Sequence, residues 1–143
     1  MHDPLSIYFE IPARDAMGRQ HVAGKVRCLH DKVVVQYTRK SPAFRAPKNP
    51  LQTIELDYHD IEDVDFRKRW FGRSTLSFRV KDASQIDEMP GAEVGKALLQ
   101  VEKRSNSEAA SFEKLMDFKD SEFQIEEIQE RLRTIEAEIG EQD

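Results

Sequence analysis

Two His-Asp pairs are the best candidates for metal ligands in this sequence. His30-Asp31 and His59-Asp60 each fall in a predicted turn between strands. In an up-and-down meander these two turns share one end of the sheet, where imidazole and carboxylate groups could together bind a divalent cation. Asp also commonly begins turns for backbone reasons, and the sequence shows no further groups that would orient such ligands. We therefore expect solvated turns and no bound metal.

The other reactive side chains do not assemble into a catalytic group. Cys28 is the single cysteine, and it projects to the predicted core face, where a free thiol is usually an inert small hydrophobe. The sequence contains neither a Gly-rich phosphate loop nor a nucleophile elbow. Acidic residues that cluster between two predicted strands are typical of a solvated rim and not of a desolvated general acid; they are Asp57, Asp60, Glu62, Asp63 and Asp65. We expect no enzyme activity, no catalytic residues and no cofactor.

Basic residues interleaved with aromatic ones point to binding. The loop 39–50 and the hairpin 67–74 share one end of the predicted meander and present cations around two rings: Arg39, Lys40, Arg45, Lys48, Arg67, Lys68, Arg69, Trp70, Phe71 and Arg73. This surface suits an acidic protein partner, including the acidic tail of a neighbouring chain. The alternative is an anionic membrane surface, near which each basic side chain contributes about 1 kcal/mol. In a third interpretation Trp70 folds back over the barrel and the charges are only solvated.

The charge distribution narrows the class of partner. The 143 residues carry a net charge of −5, but 1–104 hold 18 Lys/Arg against 15 Asp/Glu, whereas 105–143 hold 4 against 12, a net of −8. A tail this acidic repels phosphate, which argues against nucleic acid. No apolar run reaches the ~18 residues of a membrane span, and the first residues lack the basic-then-apolar pattern of a signal peptide. A cytoplasmic protein is the resulting expectation.

Alternation of apolar and polar residues predicts short antiparallel strands over the first hundred residues. The predicted strands cover 22–29, 33–38, 52–58, 64–70, 76–80, 84–88 and 96–103. The segment 6–11 alternates weakly and is expected to add an edge strand. Together these strands predict a mainly β fold with a C-terminal α part, a seven-stranded antiparallel barrel or sandwich. The expected shared core contains Phe66, Leu76, Phe78, Val80, Leu99, Val101, Phe112, Leu115 and Met116.

From Ser105 onward the apolar period becomes that of a helix. Ser105-Asn106-Ser107-Glu108 has the form of a capping box, and a helix over about 107–117 is expected to cap the barrel. A second, acidic helix is predicted over about 121–139. Its aliphatic residues are spaced 3, 4, 3 and 4 apart, which is a heptad seam: Ile125, Ile128, Leu132, Ile135 and Ile139. The seam predicts a homo-oligomer, unless it folds back over the barrel of its own chain.

Between Gly24 and Met116 the predicted layout of this chain resembles the bacterial branch of the pleckstrin-homology superfold. The resemblance rests on the hairpin Gly24-Lys25-Val26-Arg27 with Val33-Val34-Val35, on Ile54-x-Leu56-x-Tyr58 followed by Asp60-Ile61-x-x-Val64, on Leu76-x-Phe78-x-Val80, and on the helix near Ala109-Ala110 with Phe112. It implies a binding or assembly module without a common ligand or catalytic set. The expected organisation is an N-terminal arm (1–20), a barrel with its capping helix (21–118) and a self-associating helix (119–143).

Overall fold

A computed structural model describes residues 5–11, 21–40, 51–90 and 92–141 of the chain. The strands are β1 (Leu5–Ile11), β2 (His21–Cys28), β3 (Lys32–Lys40), β4 (Gln52–Asp57), β5 (Ile61–Arg67), β6 (Ser74–Val80) and β7 (Lys96–Val101). Short 3-10 turns occupy Tyr58–Asp60, Ala83–Gln85 and Lys103–Ser105, and one helix, α1, runs from Asn106 to Glu141. The predicted class, seven antiparallel strands followed by a C-terminal α part, is confirmed.

All seven strands lie in one sheet in the order β4-β3-β2-β1-β7-β6-β5. Every neighbouring pair is antiparallel. The outer strands β4 and β5 are not hydrogen-bonded to each other, so the sheet is not closed, unlike the barrel that the sequence predicts. The 3-10 turn at Tyr58–Asp60 joins these two strands without a hairpin between them. The helix α1 packs against β1, β5 and this turn.

Strand β1 lies in the middle of the sheet, so its predicted place at an edge is wrong. All seven of its residues pair with β2, and Phe9 and Glu10 also pair with β7. Its inward side chains Ile7, Phe9 and Ile11 are buried in the core. A single strand's alternation reports which face is buried, but it does not report how many neighbours the strand has. The weak pattern of this segment therefore hid its central place.

The predicted strand at 84–88 is also wrong, because a local side-chain contact turns the chain there. The Asp82 carboxylate accepts hydrogen bonds from the Ser84 backbone N–H (3.1 Å) and from the Ser84 hydroxyl (2.7 Å). This contact caps the 3-10 turn Ala83–Gln85. Asp and Ser are residues whose side chains bond to nearby backbone and favour turns over strands.

The inward faces of the strands and the first turns of α1 form one hydrophobic core. Seven of the nine predicted core residues are buried, and Phe66 and Leu115 are partly buried and packed against them. Gly24 makes room for the Phe9 ring of β1, because a Cβ at this position would lie 2.9 Å from Phe9 Cζ and would also clash with the Gln36 carbonyl oxygen. The fit of Phe9 over Gly24 joins β1, β2 and β3 at the centre of the sheet.

The C-terminal part is one helix of 36 residues and not the two helices that the sequence predicts. The expected break near 117–121 is helical, and the Ser121 hydroxyl donates to the Asp117 carbonyl (3.1 Å) within it. Two contacts fix the start of α1 on the sheet. The Ser105 hydroxyl oxygen accepts from the Tyr8 backbone N–H (2.9 Å), and the Glu113 carboxylate accepts from the Phe66 backbone N–H (2.7 Å).

Candidate functional site: two interaction surfaces

The tip of the hairpin between β5 and β6 presents two bare aromatic rings. Trp70 is 96% exposed and Phe71 is 92% exposed. Gly72 follows with φ +81°, a left-handed conformation that glycine adopts without steric cost and that turns the chain back toward β6. The Ser74 hydroxyl oxygen accepts from the Arg69 backbone N–H (3.2 Å) and closes the base of the loop. Trp70 therefore does not cap the sheet, which removes one of the three interpretations of this segment.

Four cations surround the two rings, and we call residues 67–73 the basic hairpin. Arg67 forms an exposed ion pair with Asp65 (Nε to Oδ2, 3.0 Å), and Arg73 forms one with Glu10. Lys68 and Arg69 are exposed, and their side chains form no ion pair or hydrogen bond with the residues that the structure describes. The free positive charge of the hairpin thus lies beside the aromatic tip.

The other predicted basic segment, 39–50, lies largely outside the described residues, so its expected place beside the basic hairpin stays a prediction. Arg39 is exposed near the end of β3 and Lys40 is its last residue, whereas Arg45 and Lys48 lie outside the described residues.

The second surface is the aliphatic seam of α1. Its five predicted side chains are each between 50% and 64% exposed: Ile125, Ile128, Leu132, Ile135 and Ile139. Phe118, seven residues before Ile125 and 60% exposed, continues the same heptad position toward the sheet. The helix break predicted at 117–121 hides Phe118 from the seam, although its seven-residue spacing to Ile125 is visible in the sequence. The seam is defined below as Phe118 together with these five residues.

The seam faces away from the sheet. Phe112 and Met116 are buried, and Phe123 packs against the core. At about 100° of rotation per residue, these three side chains share one side of α1, and Ile128 and Leu132 project roughly opposite to them. A straight helix therefore cannot turn the seam onto its own domain, and the intramolecular strap considered from the sequence does not form.

An acidic groove lies where α1 leaves the sheet. The rings of His59 and Phe123 stack there with a centroid distance of 3.6 Å and an interplanar angle of 21°. The groove holds about 450 Å³, and carboxylates on both of its sides outnumber the single lysine, Lys81; these acids are Glu62, Asp120, Glu126, Glu127 and Glu130. Burial and the neighbouring charges of Asp117 and Asp63 raise the pKa of Asp120, partly offset by Lys81.

The two predicted His-Asp turns do not meet as a metal site. Within the described ranges, no three His, Cys, Asp or Glu side chains gather closely enough to hold a metal ion. His59 stacks on Phe123, and Asp60 Oδ2 accepts a hydrogen bond from Gln85 Nε2 (3.2 Å). His30 and Asp31 lie at an open turn.

The remaining candidates for chemistry are Cys28 and the acidic cluster between β4 and β5. Cys28 is buried, and burial raises its pKa to about 12, so its thiol is protonated at neutral pH. Of the acidic cluster, Asp57, Glu62 and Asp63 are exposed. Asp65 is held by its ion pair with Arg67. These environments differ from the desolvated, water-excluding cleft that general acid–base catalysis uses.

Comparison of the chain with protein-family models, with curated proteins and with solved structures finds no significant match. Among the residues that the structure describes, no helix combines the length and the apolar composition needed to cross a bilayer. The exposed basic hairpin and the exposed seam are therefore the features from which a function is proposed.

Proposed function

We propose that this chain is a non-enzymatic interaction module, of the pleckstrin-homology-like type and cytoplasmic. In this proposal it self-associates through α1 and offers the basic hairpin to an acidic protein partner. The observation that carries the proposal is the seam, whose side chains are at least half exposed and are directed away from the part of the sheet that the structure describes. One antiparallel sheet of seven strands followed by a helix supports the resemblance in layout.

The distal part of α1 is the least buried part of the helix among the residues that the structure describes. Every residue from Gln124 to Gly140 is exposed. This segment continues a helix that begins at Asn106, so it carries no nucleation cost of its own, but packing supplies most of the stability of helices in proteins. Each aliphatic side chain that becomes fully buried contributes roughly 1.5–3 kcal/mol. Burying the seam against other copies would therefore stabilise the segment that needs it.

A second copy of the same helix is the occupant that the seam fits best. Ile125, Leu132 and Ile139 take heptad position a, while Ile128 and Ile135 take position d. Ile at both positions leans toward three or four strands in place of two. In a parallel bundle Arg131 of one copy faces Glu136 of the next. This exposed pair contributes well under about 1 kcal/mol, so it biases orientation more than affinity.

The test compares the mass in solution of two matched variants by light scattering. The measurement is made in about 1 M salt, where a Debye length of about 3 Å screens contacts between charged surfaces. Ile128→Asp/Leu132→Asp places two carboxylates in the seam and is expected to reduce a multiple of 16.6 kDa to the single-chain mass. Thr134→Asp/Ala137→Asp adds the same charge to exposed positions outside the seam and is expected to keep the oligomer. If the wild type is already a single chain, or if both variants dissociate alike, the self-association proposal fails.

An anionic membrane surface is the second candidate for the basic hairpin. The nearly complete exposure of Trp70 and Phe71 beside Lys68 and Arg69 favours it, because amphipathic aromatic rings and cations suit a charged bilayer surface. Co-sedimentation with vesicles of phosphatidylserine and phosphatidylcholine, compared with phosphatidylcholine alone, tests this candidate. It requires binding that depends on the anionic lipid and is lost in Lys68→Glu/Arg69→Glu.

A further inference from the structure

We infer that the acidic partner of the basic hairpin is the acidic groove of a second copy of this chain, so that copies join head to tail. The inference rests on the proposed function, because it names the partner of a surface already assigned to binding. It adds a second contact between copies, distinct from the seam. Three features of the structure support it, and they are the placement, the chemistry and the independence of the two surfaces.

The basic hairpin and the acidic groove lie at opposite ends of β5. Near the hairpin, Glu113 of α1 accepts a hydrogen bond from Phe66. Ten residues further along α1, Phe123 stacks on His59, next to the start of β5. The helix thus runs away from the hairpin, and its acidic end projects beyond the far end of the strand. The seven residues of β5 separate the two surfaces by roughly 20 Å, so the hairpin cannot fill its own groove.

The chemistry of the two surfaces is complementary. The hairpin offers two bare rings and the free cations of Lys68 and Arg69. The groove offers the stacked rings of His59 and Phe123 together with five carboxylates, one from β5 and four from α1. Its volume of about 450 Å³ lies within the roughly 300–1,000 Å³ of pockets that enclose a small organic ligand, which leaves room for an indole ring. Aromatic pairing and opposite charge would then act at one contact.

The head-to-tail contact and the seam use different faces of α1. Phe123, Glu127 and Glu130 line the groove, and at about 100° per residue they project away from Ile128 and Leu132. One copy can therefore join others through both surfaces at the same time. A head-to-tail contact is heterologous, so it produces a ring or an open-ended chain of copies, unlike a symmetric pair.

The two contacts differ in their response to salt. The head-to-tail contact joins opposite charges and weakens as the Debye length falls from about 30 Å at 0.01 M to about 10 Å at 0.1 M salt. The seam joins apolar residues on helices that both carry negative charge, so salt reduces repulsion there. Association that weakens with salt thus reports the hairpin, and association that survives high salt reports the seam.

The experiment exchanges charges between the two surfaces in the full chain and measures association by sedimentation velocity. Every chain also carries the background Ile128→Asp/Leu132→Asp, which disrupts association through the seam. The head-to-tail contact is therefore measured without the contribution of the seam. At about 0.02 M salt the background chain is expected to associate in a concentration-dependent way. Either Lys68→Glu/Arg69→Glu or Glu127→Lys/Glu130→Lys is expected to weaken this association at least about tenfold. Mixing the two reversed chains is expected to restore it, because each then supplies the charge that the other lacks.

Matched controls make every outcome decisive. Lys25→Glu/Arg27→Glu reverses two cations of β2 that belong neither to the basic hairpin nor to the lining of the groove, and is expected to leave association unchanged. The inference is overturned if the background chain stays a single copy at low salt, if the mixture of reversed chains does not associate, or if this control weakens association equally. It is also overturned if the hairpin reversal changes only binding to the phosphatidylserine vesicles, which would assign the hairpin to membranes.

Discussion

At the scale of single residues, the contact between Gly24 and Phe9 sets a steric limit on the centre of the sheet. Gly24→Ala would push a methyl group against the Phe9 ring and the Gln36 carbonyl. Overpacking of this kind is expected to lower the free energy of unfolding by about 1–3 kcal/mol, as measured by urea denaturation.

Gly140→Ala is the matched control, because nothing lies within 4 Å of the Cβ that it would add. Alanine in a helix is expected to raise stability by up to about 1 kcal/mol over glycine. Equal effects of the two substitutions would contradict the steric explanation. The comparison thus separates crowding at Gly24 from the loss of a glycine as such.

At the scale of elements, the hydrogen bond between Glu113 and Phe66 fixes α1 to β5. Glu113→Ala removes the acceptor and leaves a partly buried backbone N–H without a partner. The free energy of unfolding is expected to fall by about 1–3 kcal/mol. Glu113→Gln keeps an acceptor oxygen and is expected to recover part of the loss, and Lys114→Ala, at the exposed neighbouring position, is expected to have little effect. Loss of stability in Lys114→Ala as large as in Glu113→Ala would contradict this role.

The elements that sequence predicts well are those whose signal is local. Alternation and β-branched runs identified six of the seven strands, because these patterns lie within the residues of each strand. It failed at 84–88, where the Asp82 side chain turns the backbone. It also undervalued β1, because the two neighbours that make this strand central come from distant parts of the chain.

The candidate surfaces were predictable only in part for the same reason. The seam follows directly from heptad spacing, but its direction depends on which residues of α1 reach the sheet. The sequence left open whether Trp70 and Phe71 are exposed or whether Trp70 folds back over the sheet. The acidic groove brings together His59 and Phe123. These residues are 64 positions apart in the sequence, so a local sequence pattern cannot predict their contact.

At the scale of the whole molecule, buried ionisable groups predict a loss of stability in alkaline solution. Burial raises the pKa of Cys28 from 9.0 to about 12. The pKa of Tyr58 rises from 10.0 to about 12, mainly because of burial and to a smaller extent because of the nearby Cys28 and Asp31. Between these values the unfolded chain has lost protons that the folded chain keeps. The free energy of unfolding is therefore expected to fall from about pH 9 toward pH 12 and to be insensitive to these groups below that range.

Urea denaturation from neutral pH to about pH 11 measures this fall. In Tyr58→Phe the decline is expected to be shallower, because one of the two groups is gone. The starting stability is expected to be lower by about 1 kcal/mol, since the Tyr58 hydroxyl donates to the Leu29 carbonyl (2.6 Å). A stability that does not change up to about pH 11 would show that these groups ionise alike in the folded and unfolded chains.

The central place of β1 also bears on how the chain folds during its synthesis. β1 is the strand that joins the β2–β4 side of the sheet to the β5–β7 side, and Phe9 pairs with Val101, made 92 residues later. At roughly 5–20 residues per second on a ribosome, this partner appears about 5–20 s after β1. Until then β1 can pair only with β2, and one edge of it is open to other strands. A nascent chain of this protein thus carries an unpaired strand edge, which favours wrong strand pairing, until β7 is made.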